Sequence, residues 1–356
     1  MNDIKFDVMN ARVTFKNVPL HALARFSFED INAAVTAFKQ IPEVDECVII
    51  QTASRVEIIT ISNMQQGDTP DARRAEGKTL LLNKIKKTWE SLAPLEQNDI
   101  DHFDQTLEVY KGTDVYSNLL RLACGLDSVV VGKQEILDEI IAFYASAKQE
   151  GYSGAVLNRL LESTVRIAKR IRESTSISKN VISLGDIAVR IVAEKAGLDA
   201  KKKVLLIGTG PPAAMIAKTL NKQEIAFEVT SRTIERATDF SKLLGGKPID
   251  FDDVLGKFDK FDIILVATTS DYFLITHERI HLLMEEKKKG TLILDISDPR
   301  TVDEGITVLP GIKLLFRDQI AEIYEENVRE RSGIVPAVEK IIQKETPILE
   351  AIMNRA

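Results

Sequence analysis

This chain of 356 residues has few of the side chains that cross-link proteins or capture metals. Two cysteines, Cys47 and Cys124, exclude a disulfide framework and a cysteine-rich metal site. The four histidines, His21, His102, His277 and His281, show no ligand spacing to a second candidate, so no metal is expected. No apolar run reaches the roughly 20 residues that span a bilayer, and Met1 opens no signal-peptide pattern. A soluble, cytoplasmic protein without membrane contact is expected. Nor is one sign of charge in large excess. Lysine and arginine number 47 against 53 acidic residues, a net charge of −6. That balance argues against coating nucleic acid by bulk charge, while leaving room for a local basic face.

What is present fits two or three domains, at roughly 100–200 residues each. Hydrophobic residues make up 44% of the chain, enough for packed cores. Residues 1–150 read as an α+β domain. Asn10–Phe15 and Glu46–Ile61 carry β-branched strand patterns, and Ile31–Gln40 has helical spacing. Gln65–Arg74, with Gly67, Asp68 and Pro70, reads as an exposed loop. Gly112–Ala147 reads as helices broken near Gly125 and Gly132. Residues 151–316 open with an amphipathic helical stretch, Tyr152–Ala196, and then alternate strand and helix as a parallel sheet requires. Residues 317–356 read as one long helix, broken or kinked near Pro336 and Pro347.

The sharpest motif follows the strand Val204–Ile207. Gly208-Thr209-Gly210-Pro211-Pro212-Ala213 has the G-x-G-x-x-A pattern between a strand and a helix, the context a dinucleotide site needs. Gly208 permits the tight turn, Gly210 lets backbone approach a pyrophosphate, and Ala213 lets helix pack on strand. Pro211 and Pro212 lack N–H groups, so the loop offers an anion fewer donors than usual. The next strand ends at Ser231-Arg232-Thr233. A carboxylate here would repel a 2′-phosphate; Arg232 would pair with one, with the two hydroxyls beside it. NADPH is therefore the expected cofactor. Thr268 closes a further strand at the carboxyl edge of the sheet, where ligands bind in such folds.

Across residues 10–335 the chain resembles the glutamyl-tRNA reductase family. Gln51-Thr52-Ala53-Ser54-Arg55-Val56-Glu57 resembles the family's S-T-C-N-R-T-E. Ala123-Cys124-Gly125-Leu126-Asp127-Ser128, then Val131-Gly132, resembles A-S-G-L-D-S-x-V-x-G. Lys169–Thr175 resembles K-R-V-R-T-E-T, Arg232–Ala237 resembles R-T-x-E-R-A, and Asp295–Arg300 resembles D-I-A-x-P-R. The resemblance implies an α/β multi-domain protein: an α+β substrate domain, a Rossmann NADPH-binding domain, and a long C-terminal connecting helix with a shortened tail. It implies NADPH-dependent reduction of glutamyl-tRNA to glutamate-1-semialdehyde in tetrapyrrole (porphyrin) biosynthesis. The family's cysteine thiolate attacks the acyl carbon, releases the tRNA, and leaves a thioester for reduction.

Here the family nucleophile position is Ala53, and alanine has no nucleophile. The neighbouring asparagine is Ser54, the histidine before the G-L-D-S block is Asn118, E-P-Q is Lys133-Gln134-Glu135, and a later glutamine is Glu139. Thr52, Arg55, Arg121, Ser128 and Gly132 match. Cys124 could substitute as nucleophile or be a buried core residue. An aminoacyl ester is activated, so direct hydride transfer is another route; a catalytically inactive homologue binding NADPH, tRNA or a pathway partner is the alternative. Arg55 could hold a substrate carboxylate or pair with Glu57. Ser128 could donate to substrate or cap a turn. Lys133 and Glu135 could compensate each other as a pair.

Arg166, Lys169, Arg170 and Arg172 form a basic run that could touch tRNA phosphate or be a solvated face; Lys84, Lys86 and Lys87 beside Trp89 allow the same two readings. Expected partners are glutamyl-tRNA, glutamate-1-semialdehyde aminomutase and a second copy of the chain. The family continues into a helical dimerisation domain, whereas about 40 residues follow Arg317, so either a reduced dimer surface or a shortened chain is expected.

Overall fold

The computed structural model describes residues 6–63, 71–128, 130–179, 181–199, 201–285 and 290–354. The chain forms two compact units, one of residues 1–18, 25–181 and 330–356, the other of residues 19–24 and 182–329.

In the first unit, among the described residues, β1 (Phe6–Thr14), β2 (Glu46–Thr52), β3 (Arg55–Asn63) and β4 (Glu108–Lys111) form an antiparallel sheet in the order β2-β3-β1-β4. The helix Ile31–Lys39 connects β1 to β2, and Asp71–Leu92 lies between β3 and β4. This is the split β-α-β-β-α-β arrangement. Side chains alternate across a strand, so Val8, Val48, Ile50, Ile59 and Ile61 share one face. The helices Thr113–Ala123, Glu135–Gln149 and Ala155–Thr175 join these residues in one core. The single tryptophan, Trp89, is fully buried among Phe28 and Phe103, and its indole donates to the Phe26 carbonyl at 2.8 Å.

The unit boundaries differ from the sequence divisions at 150 and 316 for a packing reason. Leu157, Leu160, Leu161, Ile167 and Ile171 bury their apolar stripe in the first unit's core. So do Val338, Ile342, Leu349 and Met353 of the last helix. That helix, Asp318–Met353, contains Pro336 and Pro347 without a break. Packing of its apolar positions offsets the lost backbone bonds. Tyr152–Ala196 is two helices, Ala155–Thr175 and Leu184–Ala196, separated after Ser176 takes a left-handed conformation (φ 58°). Residues 71–74, expected in a loop, open the helix Asp71–Leu92, while 65–70 lie outside the described residues. Lys84 and Lys86 are ion-paired with Glu43 and Asp104, so those two lysines of the run beside Trp89 are neutralised locally.

In the second unit, β5 (Val204–Ile207), β6 (Phe227–Thr230), β7 (Lys247–Pro248), β8 (Ile263–Val266), β9 (Thr291–Asp295) and β10 (Ile312–Phe316) are all parallel, in the order β10-β9-β8-β5-β6-β7. Counted within the unit this is 6-5-4-1-2-3, the doubly wound Rossmann order, with its switch point between β5 and β8. The central strands are fully buried and read as continuous apolar runs, as a sheet covered on both faces requires.

Arg172 was a candidate phosphate contact, and the structure corrects that: its side chain is buried. The guanidinium donates to the carbonyls of Ala123 (2.9 Å), Gly132 (2.9 Å) and Lys133 (2.8 Å), pinning both ends of the 123–133 loop. Gly132 has φ +80°, and a Cβ there would lie 2.3 Å from the Ile177 carbonyl oxygen, so only glycine fits. Arg172→Met leaves two buried acceptors and one partly buried one without this donor and should cost about 3 kcal/mol. Thermal unfolding followed by far-UV circular dichroism checks this; an unchanged midpoint would show that the loop does not depend on Arg172.

Candidate active site

Ala53, the position that the motif resemblance sets against the family's cysteine, falls on a hairpin. Thr52 pairs with Arg55 at the closed end of β2 and β3, which leaves Ala53 and Ser54 as a two-residue turn. The Thr52 hydroxyl accepts from the Ser54 amide at 3.2 Å and lies 3.3 Å from the Ser54 hydroxyl. From the other side, the Phe15 amide donates to the Ser54 carbonyl at 2.9 Å, tying the exit of β1 to the turn.

Below the turn lies a polar strip on an otherwise apolar sheet face. Registers place Arg12 opposite both Glu57 and Glu108, and Thr14 opposite Arg55. Arg12, 3% exposed, donates to Glu108 (2.6 Å), Asn118 (3.1 Å), Asp127 (3.2 Å) and Tyr110 (2.9 Å). Burial works against its charge, but the surrounding Glu57, Asp127 and Glu108 outweigh burial and raise its pKa. Burial also opposes ionisation of Asp127; a 2.6 Å hydrogen bond from Lys16 and the charges of Arg12, Lys16 and Arg121 overcome it and hold the carboxyl below its ordinary range.

Arg55 is 1% exposed. One fork nitrogen donates to Glu57 at 2.7 Å and the other to the Asp127 carbonyl, so the Glu57 pairing is the one formed in this structure. Its Nε and the Ser128 hydroxyl are buried without a hydrogen-bond partner among the described residues. Lys133 and Glu135 form an ion pair at 3.3 Å, and Gln134 donates to Asp138 at 3.0 Å. Glu139 is half-buried on the same helix. Asn118, in place of the family histidine, accepts from Arg12.

Neither cysteine is close to being a thiolate. Cys124 caps the helix Thr113–Ala123 at its C-terminus and is fully buried; burial pushes its thiol up to about 12, with Arg172 opposing. Cys47 lies on β2, equally buried, and burial likewise pushes it up to about 12. On the 155–175 helix, Arg166, Lys169 and Arg170 are exposed, and Arg170 pairs with Glu345 at 2.6 Å.

In the second unit, Gly208 turns with φ +126° against the Ala267 carbonyl at the switch point, where a Cβ would lie 2.0 Å from that oxygen. At Gly210 an added Cβ meets only Pro212, at 3.9 Å, so the loop leaves open space at its exposed face. Pro211 and Pro212 begin the helix Pro211–Lys222, and Ala213 is buried against the sheet. The Thr209 and Ser231 hydroxyls are 3.2 Å apart, joining the glycine loop to the end of β6. Thr233 caps the following helix, and Arg232 is exposed with no ion-pair partner among the described residues. The Thr268 amide donates to Ser297 at 3.1 Å. The Asp295 carboxylate, fully buried, accepts from the amides of Ser297, Thr301 and Val302 at 2.8–2.9 Å and so shapes the Asp295–Arg300 turn.

Residues 11–175 match the family model described as glutamyl-tRNAGlu reductase, N-terminal domain, and residues 190–323 match shikimate/quinate 5-dehydrogenase. The glutamyl-tRNA reductase of Cenarchaeum symbiosum (strain A) is 42% identical over 98% of this chain and 79% of its own length. This chain belongs to the glutamyl-tRNA reductase family. That of Methanothrix thermoacetophila is 30% identical over 96% of the chain and 77% of its own length. A solved glutamyl-tRNA reductase from Methanopyrus kandleri is 27% identical, covering 99% of this chain and 80% of that one, with a TM-score of 0.49. Among the described residues no helix is long and apolar enough to cross a membrane. No group of three or more His, Cys, Asp or Glu among them is suited to a metal ion.

Sequence reasoning passed over Arg12, Lys16 and the acceptor side of Asp127. The available signal was polar residues at alternate positions, Asn10, Arg12 and Thr14, separated by the apolar Ala11 and Val13.

With thiols near 12, roughly one in ten thousand is ionised at pH 8. The native protein should therefore show no fast-reacting thiol with a disulfide reagent at pH 8, and two after denaturation. A fast equivalent in the native state would restore Cys124 as a nucleophile candidate.

Proposed function

We propose that this chain is an NADPH-dependent oxidoreductase of the glutamyl-tRNA reductase type, which reduces glutamyl-tRNA to glutamate-1-semialdehyde for tetrapyrrole synthesis without a covalent thioester. The observation that carries the reading is the Ala53–Ser54 turn. It keeps the hairpin and the Thr52, Arg55 and Glu57 of the family motif, carries Ala53 and Ser54 where the motif has cysteine and asparagine, and both cysteines are buried elsewhere. The glutamyl ester is already activated, so its carbonyl can be reduced directly. In this reading Thr52, Ser54 and the unpartnered Ser128 hydroxyl receive the substrate's polar groups, Arg55 offers its Nε, and Lys133, Gln134, Glu135 and Glu139 shape the rim.

The residues of the second unit fit a nicotinamide dinucleotide. The switch point, the open space at Gly210 and the unpaired Arg232 meet its needs, although two prolines remove amide donors from the phosphate loop. When bound, NADPH supplies the hydride. Arg232 pairs with the 2′-phosphate, Ser231 and Thr233 flank it, and Gly208, Thr209, Gly210, Pro211, Pro212, Ala213 and Thr268 line the rest. The aldehyde product needs a consumer, a role that glutamate-1-semialdehyde aminomutase fits; a homodimer would use the C-terminal helix.

A second reading, a catalytically inactive homologue that binds NADPH, tRNA or a pathway partner, draws on the same absence of a usable thiol and on Asn118 standing where the family has histidine.

Single-turnover mixing of charged glutamyl-tRNA with NADPH separates the readings. The wild-type protein should form semialdehyde slowly, and Ala53→Cys should accelerate it by at least roughly tenfold, about 1.4 kcal/mol of barrier. Semialdehyde from the cysteine variant alone would establish the inactive-binder reading instead. For the cofactor, Arg232→Ala should raise the Kd for NADPH by about tenfold or more and leave that for NADH nearly unchanged. Equal losses in a fluorescence titration would remove the 2′-phosphate role.

A further inference from the structure

We infer that Lys16 is the proton donor to the departing ribose oxygen of the aminoacyl ester. The inference rests on the substrate reading above and adds a catalytic residue to it. With no histidine or thiol at the turn, the site lacks an evident acid. The leaving group is an alkoxide, which departs slowly unless it gains a proton as the bond breaks.

Lys16 stands where such an acid belongs. Its neighbour Phe15 donates to the Ser54 carbonyl, so the Lys16 backbone is one residue from a direct contact with the Ala53–Ser54 turn. Its ammonium crosses to Asp127 Oδ1 at 2.6 Å, and the Asp127 carbonyl in turn accepts from Arg55, the residue that follows the turn. Ser128, with its unpartnered hydroxyl, is next in the chain. The segment of Lys16 and the segment of Arg55 are thus both tied to Asp127, the first through its carboxylate and the second through its carbonyl. Lys16 is also the most exposed of the cations on Asp127: its side chain is 44% accessible, against 34% for Arg121 and 4% for Arg12. Of the ammonium's three protons, one is used on Asp127, leaving two for a ligand or water. Arg12 and Arg121 cannot replace it as acids, because a guanidinium does not give up its proton. Asp127 sets the position of the Lys16 head group and is itself held by Arg12.

The step balances as follows. In the wild-type protein the ester carbon is first reduced, NADPH being the reductant. The bond from that carbon to the ribose oxygen then breaks, its electron pair stays on the oxygen, and the oxygen takes a proton from Lys16. The products are the aldehyde and a free tRNA hydroxyl, and solvent returns the proton to Lys16.

The test removes the cofactor. In the Ala53→Cys protein the thiolate attacks the ester carbon, a sulfur–carbon bond replaces the carbon–oxygen bond, and the same ribose oxygen departs. Rapid-quench mixing with glutamyl-tRNA, without NADPH, should give a burst of deacylated tRNA equal to the protein. Adding Lys16→Met should slow that burst by about a hundredfold at saturating tRNA, with tRNA affinity within about threefold. Lys16→Gln should behave as Lys16→Met does. Lys16→Arg, which keeps the charge without a transferable proton, should be slowed nearly as much. Matching melting temperatures confirm folding. A burst unchanged by Lys16→Met overturns the inference and leaves the proposed substrate intact. Slowing that vanishes at saturating tRNA, or a fully active arginine variant, makes Lys16 a binding contact and overturns it too. No burst from Ala53→Cys itself overturns both the inference and the substrate reading.

Discussion

The first unit depends on burying the Arg12 guanidinium. It joins β1 to β4 through Glu108 and Tyr110, to the helix Thr113–Ala123 through Asn118, and to the following loop through Asp127. A charge this deep is costly unless its donors are matched and opposite charge is close. Here both conditions are met, and the matching fixes where each of those segments can lie. Removing one partner would strand the rest, so the network acts as a specification of geometry more than as a source of net stability. The Ala53–Ser54 turn inherits its position from this network through Arg55, Glu57 and Asp127.

The second unit solves a similar problem with one carboxylate and backbone. Asp295 gathers three amides at the end of β9 and leaves the carboxyl edge of the sheet with a defined turn. Gly208 and the Thr209–Ser231 contact define the opposite side of that edge. The result is a Rossmann sheet edge whose backbone is closely determined, with Arg232 exposed just beyond β6.

Together these features describe a family member with a closely determined framework and both thiols buried away from the Ala53–Ser54 turn. The hairpin, the Arg172-pinned loop and the glycine loop are each fixed by specific backbone contacts. Around the turn, sulfur is absent, Asn118 is bound to Arg12, and Lys133 is paired with Glu135. The Lys16 ammonium is paired with the buried Asp127 carboxylate of the same network.

Much of this was legible in the residues themselves. Strand periodicity and the G-x-G-x-x-A loop determined the Rossmann unit, because a run buried on both faces must be apolar and a tight turn against another strand must be glycine. The run at 51–57 put Thr52 and Arg55 at the closed end of a hairpin. Tertiary structure alone decided the rest. Whether Arg172 and Arg55 face solvent or interior, that Cys124 sits in the core, and that residues 330–353 pack in the first unit depend on contacts between segments far apart in the chain. Local spacing gives a side chain its face on a helix or strand, but not what covers that face. For an ionisable group the cover is decisive, since desolvation and neighbouring charge set its state.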